Sequence, residues 1–180
     1  PDRFEPLELE PGAGGAPAPR LATLRLLQAL SVSTLDEPYA GLMLALPAFT
    51  PRSLAALSFA LFEAWRVAGQ PSKEIWAYHQ LAFLGGDAEA RRLARYIRAW
   101  PGALVTIHPG AVGLATSTGI AVLAKMGTSV AVGELASLAQ KSKPKLEALA
   151  KAGLKEIAGS RGMTLRELLD TMIPDFGLDA

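Results

Sequence analysis

The sequence predicts an all-α chain of HEAT/armadillo-like stacked helical hairpins, an α-solenoid segment. Three observations point there. Half of the 180 residues are hydrophobic while aromatics make up only 7%, and the abundant Ala and Leu lose little side-chain entropy in a helix. Apolar residues recur three and four positions apart between short Pro, Gly or hydroxyl breaks. Two parts of the chain superimpose when shifted by about 42 residues, a length typical of paired-helix repeats. No stretch sustains period-2 alternation with β-branched enrichment, so strands are not expected.

Bulk properties narrow the function classes. A chain this long buries roughly 70% of its unfolded surface and needs no staples. Eighteen basic and 17 acidic residues leave a net charge of +1, so no global field selects nucleic acid or an anionic membrane. Cysteine is absent, which removes disulfides, thiolate metal sites and thiol nucleophiles together and fits a reducing, cytoplasmic compartment. The chain opens at Pro1 with no initiator Met and no signal peptide, and it reads as a piece of a longer protein. The uncharged run between Arg98 and Lys125 exceeds a membrane span in length. Pro101, His108, Pro109, Gly110, Gly113 and Thr116-Ser117-Thr118-Gly119 interrupt it. It reads as a loop followed by a buried helix, and no membrane partner is expected.

Residues 1–20 are rich in Pro and Gly and read as a flexible linker, since such a segment buries too little apolar surface to offset its ordering entropy. Its Gly-Ala-Gly-Gly-Ala run lacks the Lys-Ser/Thr and the preceding strand of a phosphate loop. Residues 21–180 read as one helical-repeat domain. Leu21, Leu24, Leu27 and Leu30 give a first amphipathic stretch, and a second runs from Glu37 to Leu46 before Pro47. Thr50 stands as N-cap with Pro51 at the first helical position, where the missing N–H costs nothing. Leu54, Leu57, Leu61 and Trp65 follow at helical spacing, widened by Phe59 and Phe62. Ser72 is expected to cap the next helix, which closes at Gly85-Gly86. Asp87 starts another, with Ala90, Leu93, Ile97 and Trp100 inward and the arginines outward. Further helices are expected near 113–126, 129–142, 144–158 and 164–173, the last opened by a Thr164–Glu167 capping box.

The internal match pairs Leu81-Ala82 with Leu123-Ala124, Gly85 with Gly127, Asp87 with Ser129, and Leu93-Ala94 with Leu135-Ala136. Each copy is a helix, a glycine stop, a polar cap and a second helix. A helix pair of this length cannot bury its own apolar face and must stack on neighbours.

The runs Gly127-Thr128-Ser129-Val130-Ala131, Leu138-Ala139-Gln140-Lys141-Ser142-Lys143 and Ser160-Arg161-Gly162-Met163-Thr164-Leu165-Arg166-Glu167-Leu168 carry a family resemblance. So do Ile173-Pro174-Asp175-Phe176-Gly177-Leu178-Asp179 and, upstream, Ser72-Lys73-Glu74-Ile75-Trp76 and Ile97-Arg98-Ala99-Trp100-Pro101-Gly102. Over about residues 50–180 the chain resembles the helical region of large bacterial proteins that often carry a WGR domain and a conserved domain of unknown function. Some members are named molybdate metabolism regulators. The resemblance implies a fragment of a longer protein with HEAT-like helices, and it carries over no catalytic residues.

Candidate chemistry is sparse. His79 and His108 are the only histidines, and neither has a partner ligand three or four positions away, so no metal site is expected. Asp175-Phe176-Gly177 spells a kinase magnesium signature without the accompanying catalytic loop, glycine-rich loop or strand lysine, and reads as a helix exit. Thr116-Ser117-Thr118 lacks the strand of a nucleophile elbow and is expected to cap a helix. No catalytic residue and no cofactor is called for. The one chemical feature is basic: Lys141, Lys143, Lys145, Lys151, Lys155, Arg161 and Arg166 face only Glu147 and Glu156 in sequence, and Arg91, Arg92, Arg95 and Arg98 form a second cluster. Of these, Arg91, Arg92, Arg95, Arg98, Lys141, Lys143, Lys145, Lys151 and Lys155 are the candidate phosphate- or partner-binding residues. A solvated outer face is the plainer reading of both.

Three functions follow as expectations. The first is a non-catalytic, non-enzymatic scaffold that binds a protein partner within a larger bacterial regulatory-type protein. The second is a nucleic-acid-associated module that uses the Lys/Arg clusters. The third is a support domain for an enzymatic domain outside this fragment.

Overall fold

Apolar residues three and four apart wind the described chain into helices wherever a cap or a proline lets one start. The computed structural model describes the backbone of residues 5–13, 15–103, 109–141 and 144–171, with side chains apart from 13, 100–103, 109–112 and 141. The chain divides into two compact units, Pro1–Glu89 and Ala90–Ala180, where the sequence suggests a linker and one domain. Among the described residues there is no β-strand, only two isolated antiparallel bridges. The all-helical expectation holds.

The first unit contains α1 (Arg20–Ser31), α2 (Ala40–Ala45), α3 (Pro51–Val67), α4 (Trp76–His79) and α5 (Leu81–Leu84). Its centre is α3. Thr50 accepts from the Ser53 N–H and Pro51 occupies the first turn, as the sequence predicts. Leu54, Leu57, Phe59, Leu61, Phe62 and Trp65 are all buried. Phe62 and Trp65 close on the fully buried Tyr78 of α4, with ring centroids 4.9 and 5.0 Å away, and that burial pushes the Tyr78 hydroxyl well above its usual value. Tilted ring pairs of this kind contribute beyond the area they bury.

Two local expectations change. Ser72 caps nothing: it is the first residue of a 3-10 turn, Ser72–Glu74, that follows Pro71. The helix expected up to Gly85 is instead split into α4 and α5, which meet at Gln80. Gln80 is buried, and its amide donates to the carbonyls of Ser58 (2.7 Å) and Ala77 (2.9 Å). A buried amide must find such acceptors, so Gln80 ties the junction to α3.

The described part of the expected linker is ordered into this unit. Leu9 N–H donates to Ala16 and Ala18 N–H donates to Leu7, while Glu10 and Thr50 bond across to Ala48 and Glu8. Leu7 is only 1% exposed. The short alternation Leu7-Glu8-Leu9-Glu10 thus buries an apolar plug and satisfies its backbone by pairing, which the Pro/Gly composition around it conceals.

The second unit contains most of α6 (Asp87–Ala103), then α7 (Pro109–Met126), α8 (Ser129–Lys141), α9 (Pro144–Ser160) and α10 (Leu165–Asp170). α7, α8 and α9 pack on one another and α10 packs on α9. Leu146, Ala150, Gly153, Leu154, Ile157 and Ala158 form the buried stripe of α9, as their spacing predicts. At Gly153 an added Cβ would stand 3.3 Å from Ile120, 3.6 Å from Ala124 and 4.0 Å from Leu135. The missing side chain is what lets α9 approach both neighbours so closely. Thr116, Ser117 and Thr118 lie inside α7 and are no cap. The Ser117 hydroxyl instead bonds back to the carbonyls of Gly113 and Leu114. The Thr164–Glu167 capping box is formed, with both reciprocal bonds.

The two glycine stops matched by the internal offset differ in backbone. Gly85 is extended (φ −75°, ψ 151°), whereas Gly127 takes φ +60° and donates to the Leu123 carbonyl as a left-handed helix end. The first copy also begins with the four-residue α5, against the 18-residue α7 of the second. Letter identity therefore exceeds conformational identity between the two copies.

Candidate interaction surface

The arginines expected on α6 do face outward. Arg91, Arg92, Arg95 and Arg98 are exposed, while Ala90, Leu93, Ala94 and Ile97 are buried. A stripe that turns every fourth residue the same way forces this division. Arg98 is engaged: it pairs with Glu134 of α8 at 2.6 Å and reaches the Ser137 hydroxyl at 3.3 Å. Arg92, Arg95, Tyr96 and Ala99 line a shallow notch of about 300 Å³.

The α9 lysines do not converge on that notch. Lys145, Lys151 and Lys155 are exposed, and Lys151 pairs with Glu147 one turn earlier. Arg161 donates to the Gly127 carbonyl, so it closes the end of α7 rather than facing solvent alone. Arg166 sits 3.9 Å from Asp170 and is almost wholly exposed, a geometry worth little. The side chains of Lys141 and Lys143 lie outside the described residues, as do His108 and Asp175-Phe176-Gly177. His79 ends α4, half-buried; burial lowers its pKa, and the Asp36 carboxylate pulls the opposite way. Among the described residues no cluster of three or more His, Asp or Glu could hold a metal. No helix there is long and apolar enough to cross a membrane.

The most distinctive surface is apolar and was not singled out by the sequence reading. In α1 the inward residues are Leu26 and Leu30, while Leu21 is 60% exposed and Leu24 is 38% exposed. The expected stripe of Leu21, Leu24, Leu27 and Leu30 is therefore rotated. Beside it, Val32, Tyr39, Met43 and Leu44 are exposed, Leu44 to 85%. A groove of 770 Å³ runs between α1 and α2, with the buried Leu26 and Phe49 deepest in its lining, the small Ala22, Ala29, Gly41 and Ala45 around them, and Arg25, Val32 and Tyr39 also lining it. Arg25, Gln28 and the C-cap Val32 line the groove, and the exposed Leu21 sits one turn before Arg25 on the same helical row. The signal for this surface is Gly41-Leu42-Met43-Leu44-Ala45. A segment apolar on every side must be either fully enclosed or offered to something.

Over 130 residues, 72% of its length, the chain is 35% identical to the uncharacterized protein YehI of Escherichia coli (strain K12). The matched region is 10% of that protein, so the chain spans about a tenth of the length of the curated relative it matches. No family model and no solved structure matches the chain.

Chemically, the α1–α2 surface can desolvate an apolar partner and offer it a rim of charge. The α6 notch can offer cations with one aromatic ring beside them. Large contiguous apolar exposure is uncommon on a chain that works alone, and it marks binding faces.

Proposed function

We propose that this chain is a non-catalytic scaffold of stacked helical hairpins that holds a protein partner, and that it works inside a larger bacterial protein of the regulatory, WGR-associated kind. The observation that carries this reading is the apolar surface of α1 and α2. Val32 and Tyr39 line a groove that contains several small residues, a shape suited to helical ridges, and Leu21, Met43 and Leu44 are exposed on the same two helices. The consecutive packing of α7, α8 and α9 supports the stacked-hairpin part of the proposal.

A second reading, association with nucleic acid, draws on the notch of Arg92, Arg95 and Tyr96, where cations and an aromatic ring adjoin. Local pairing of Arg98 and Lys151 leaves it less basic surface than the sequence promises. Affinity capture with the 180-residue chain, with and without nuclease, separates the two. The scaffold reading expects protein capture that survives nuclease and falls when Leu44→Glu is introduced. Capture that disappears with nuclease, declines steeply with salt and is lost in Arg95→Glu would replace it with the second.

A further inference from the structure

The apolar face of α1 and α2 is flanked by charges of opposite sign at its two ends. Arg20 and Arg25 lie in the first half of α1, and Asp36 and Glu37 lie just beyond its far end, in the loop leading to α2. All four are exposed. Among the described residues none of them takes part in an ion pair within the chain. Between the two charged ends, Gln28 of α1 and Val32 at its C-cap line the groove with Tyr39 across from them, and Leu21, Met43 and Leu44 are exposed on the same two helices.

We infer that this face binds a second copy of the chain, with α1 of one copy antiparallel to α1 of the other about a two-fold axis. The inference rests on reading the face as protein-binding, and it names the partner. Three features select a copy of itself over another occupant. First, a surface that is cationic at one end and anionic at the other is complemented by its own reverse, because a two-fold axis sets Arg20 and Arg25 against the partner's Asp36 and Glu37 and repeats the pairing. Second, the face carries both a depression and projections. The groove, lined by Ala22, Ala29, Gly41 and Ala45 over the buried Leu26 and Phe49, can receive the other copy's exposed Leu44, which directly precedes the lining residue Ala45, and the reverse contact follows by symmetry. Third, Leu21, Val32, Tyr39, Met43 and Leu44 are each more than half exposed. Apolar side chains this exposed are the kind a partner covers.

Sedimentation equilibrium of the 180-residue chain over a wide concentration range tests this. The expected result is a reversible monomer–dimer equilibrium. Leu44→Glu should raise the dimer Kd roughly tenfold or more, since an unpaired carboxylate would enter the apolar centre. Because Leu44 is 85% exposed, that variant should keep the wild-type circular dichroism. Arg25→Glu should weaken the dimer, and the double reversal Arg25→Glu with Glu37→Arg should restore it. A monomer at every concentration overturns the proposal, as does a dimer indifferent to Leu44→Glu. A dimer weakened by Arg25→Glu but not restored by the double reversal overturns the antiparallel arrangement. A monomer that still captures other proteins through Leu44 loses the dimer and keeps the scaffold reading. A monomer that captures nothing loses both.

Discussion

α9 and α2 are both rich in apolar residues, yet they place them differently. α9 has 17 residues, turns six of them into one buried stripe and leaves its lysines outside. α2 has six residues, buries Leu42 and leaves Met43 and Leu44 in solvent. A long helix can bring a complete stripe against two neighbours, whereas a short one offers only a single turn to the chain's interior. The first arrangement builds a core from within the chain. The second leaves apolar area open to solvent, and on that difference rests the proposal that the first unit carries the interaction.

The sharpest way to break this contrast is to enlarge the seam of α9. Gly153→Leu must displace Ile120 and Ala124 from positions already within 3.3–3.6 Å of an added Cβ, and about 3 kcal/mol of stability should be lost in urea unfolding. Gly153→Ala should be close to neutral, because a crowded methyl offsets the roughly 1 kcal/mol that alanine gains over glycine within a helix. An unchanged midpoint for the leucine variant would remove the close approach from the argument. In α2 the paired test is Leu42→Ala against Leu44→Ala. The first residue is fully buried and the second 85% exposed, so losses of about 2–4 kcal/mol and under about 0.5 kcal/mol are expected, measured at a concentration where the chain is monomeric. Equal losses would mean that α2 has no outward face.

Helix ends give a smaller version of the same comparison. Gly127 closes α7 with φ +60°, and Gly127→Ala should cost about 1–2 kcal/mol through left-handed strain alone. After α3, in the first unit, Gln70 holds φ +60° without the freedom of glycine. Gln70→Gly should relieve that strain and raise stability by up to about 1 kcal/mol, less whatever the freer unfolded chain takes back. Thermal melts of the two variants should therefore shift in opposite directions. Thr164→Ala, which removes the hydroxyl that caps α10, should lower stability by about 1 kcal/mol.

What the sequence made legible was local. Thr50-Pro51 and Thr164–Glu167 need only neighbouring residues to act as caps, and both do so. The stripes of α6 and α9 were readable because each has one apolar row and a charged remainder. α1 was not, because Leu21, Leu24, Leu26, Leu27 and Leu30 support two rows, and packing against α2 and α4 selects Leu26 and Leu30. For the same reason the apolar surface stayed hidden: periodicity tells which residues share a row, not which row the fold leaves uncovered. Arg91, Arg92, Arg95, Arg98, Lys145, Lys151 and Lys155 are exposed, but the partners of Arg98 and Arg161 lie 36 and 34 residues away in sequence, beyond any local pattern.

Acid should separate the two units at the low end of the energy scale. Burial holds the His79 imidazole below its ordinary value of 6.5, against the pull of Asp36. The unfolded chain therefore takes the proton more readily than the folded one. The stability that the neutral ring contributes is complete above 6.5 and is lost as pH falls through the depressed folded value. Glu167 lies lower still: the Thr164 backbone N–H, then its hydroxyl, hold the carboxylate below 4.5, with a small opposing effect of desolvation. Its contribution is present above 4.5 and is lost as pH falls through that lowered folded value. On slow acidification the first unit should loosen before α10 does. Tryptophan emission, to which Trp65 against Tyr78 contributes in the first unit, should change before the helical circular dichroism signal of the second. His79→Gln should erase the earlier step and leave the later one in place. If the earlier step survives that substitution, its origin is not the imidazole, and the two units do not differ in the way their buried and exposed faces imply.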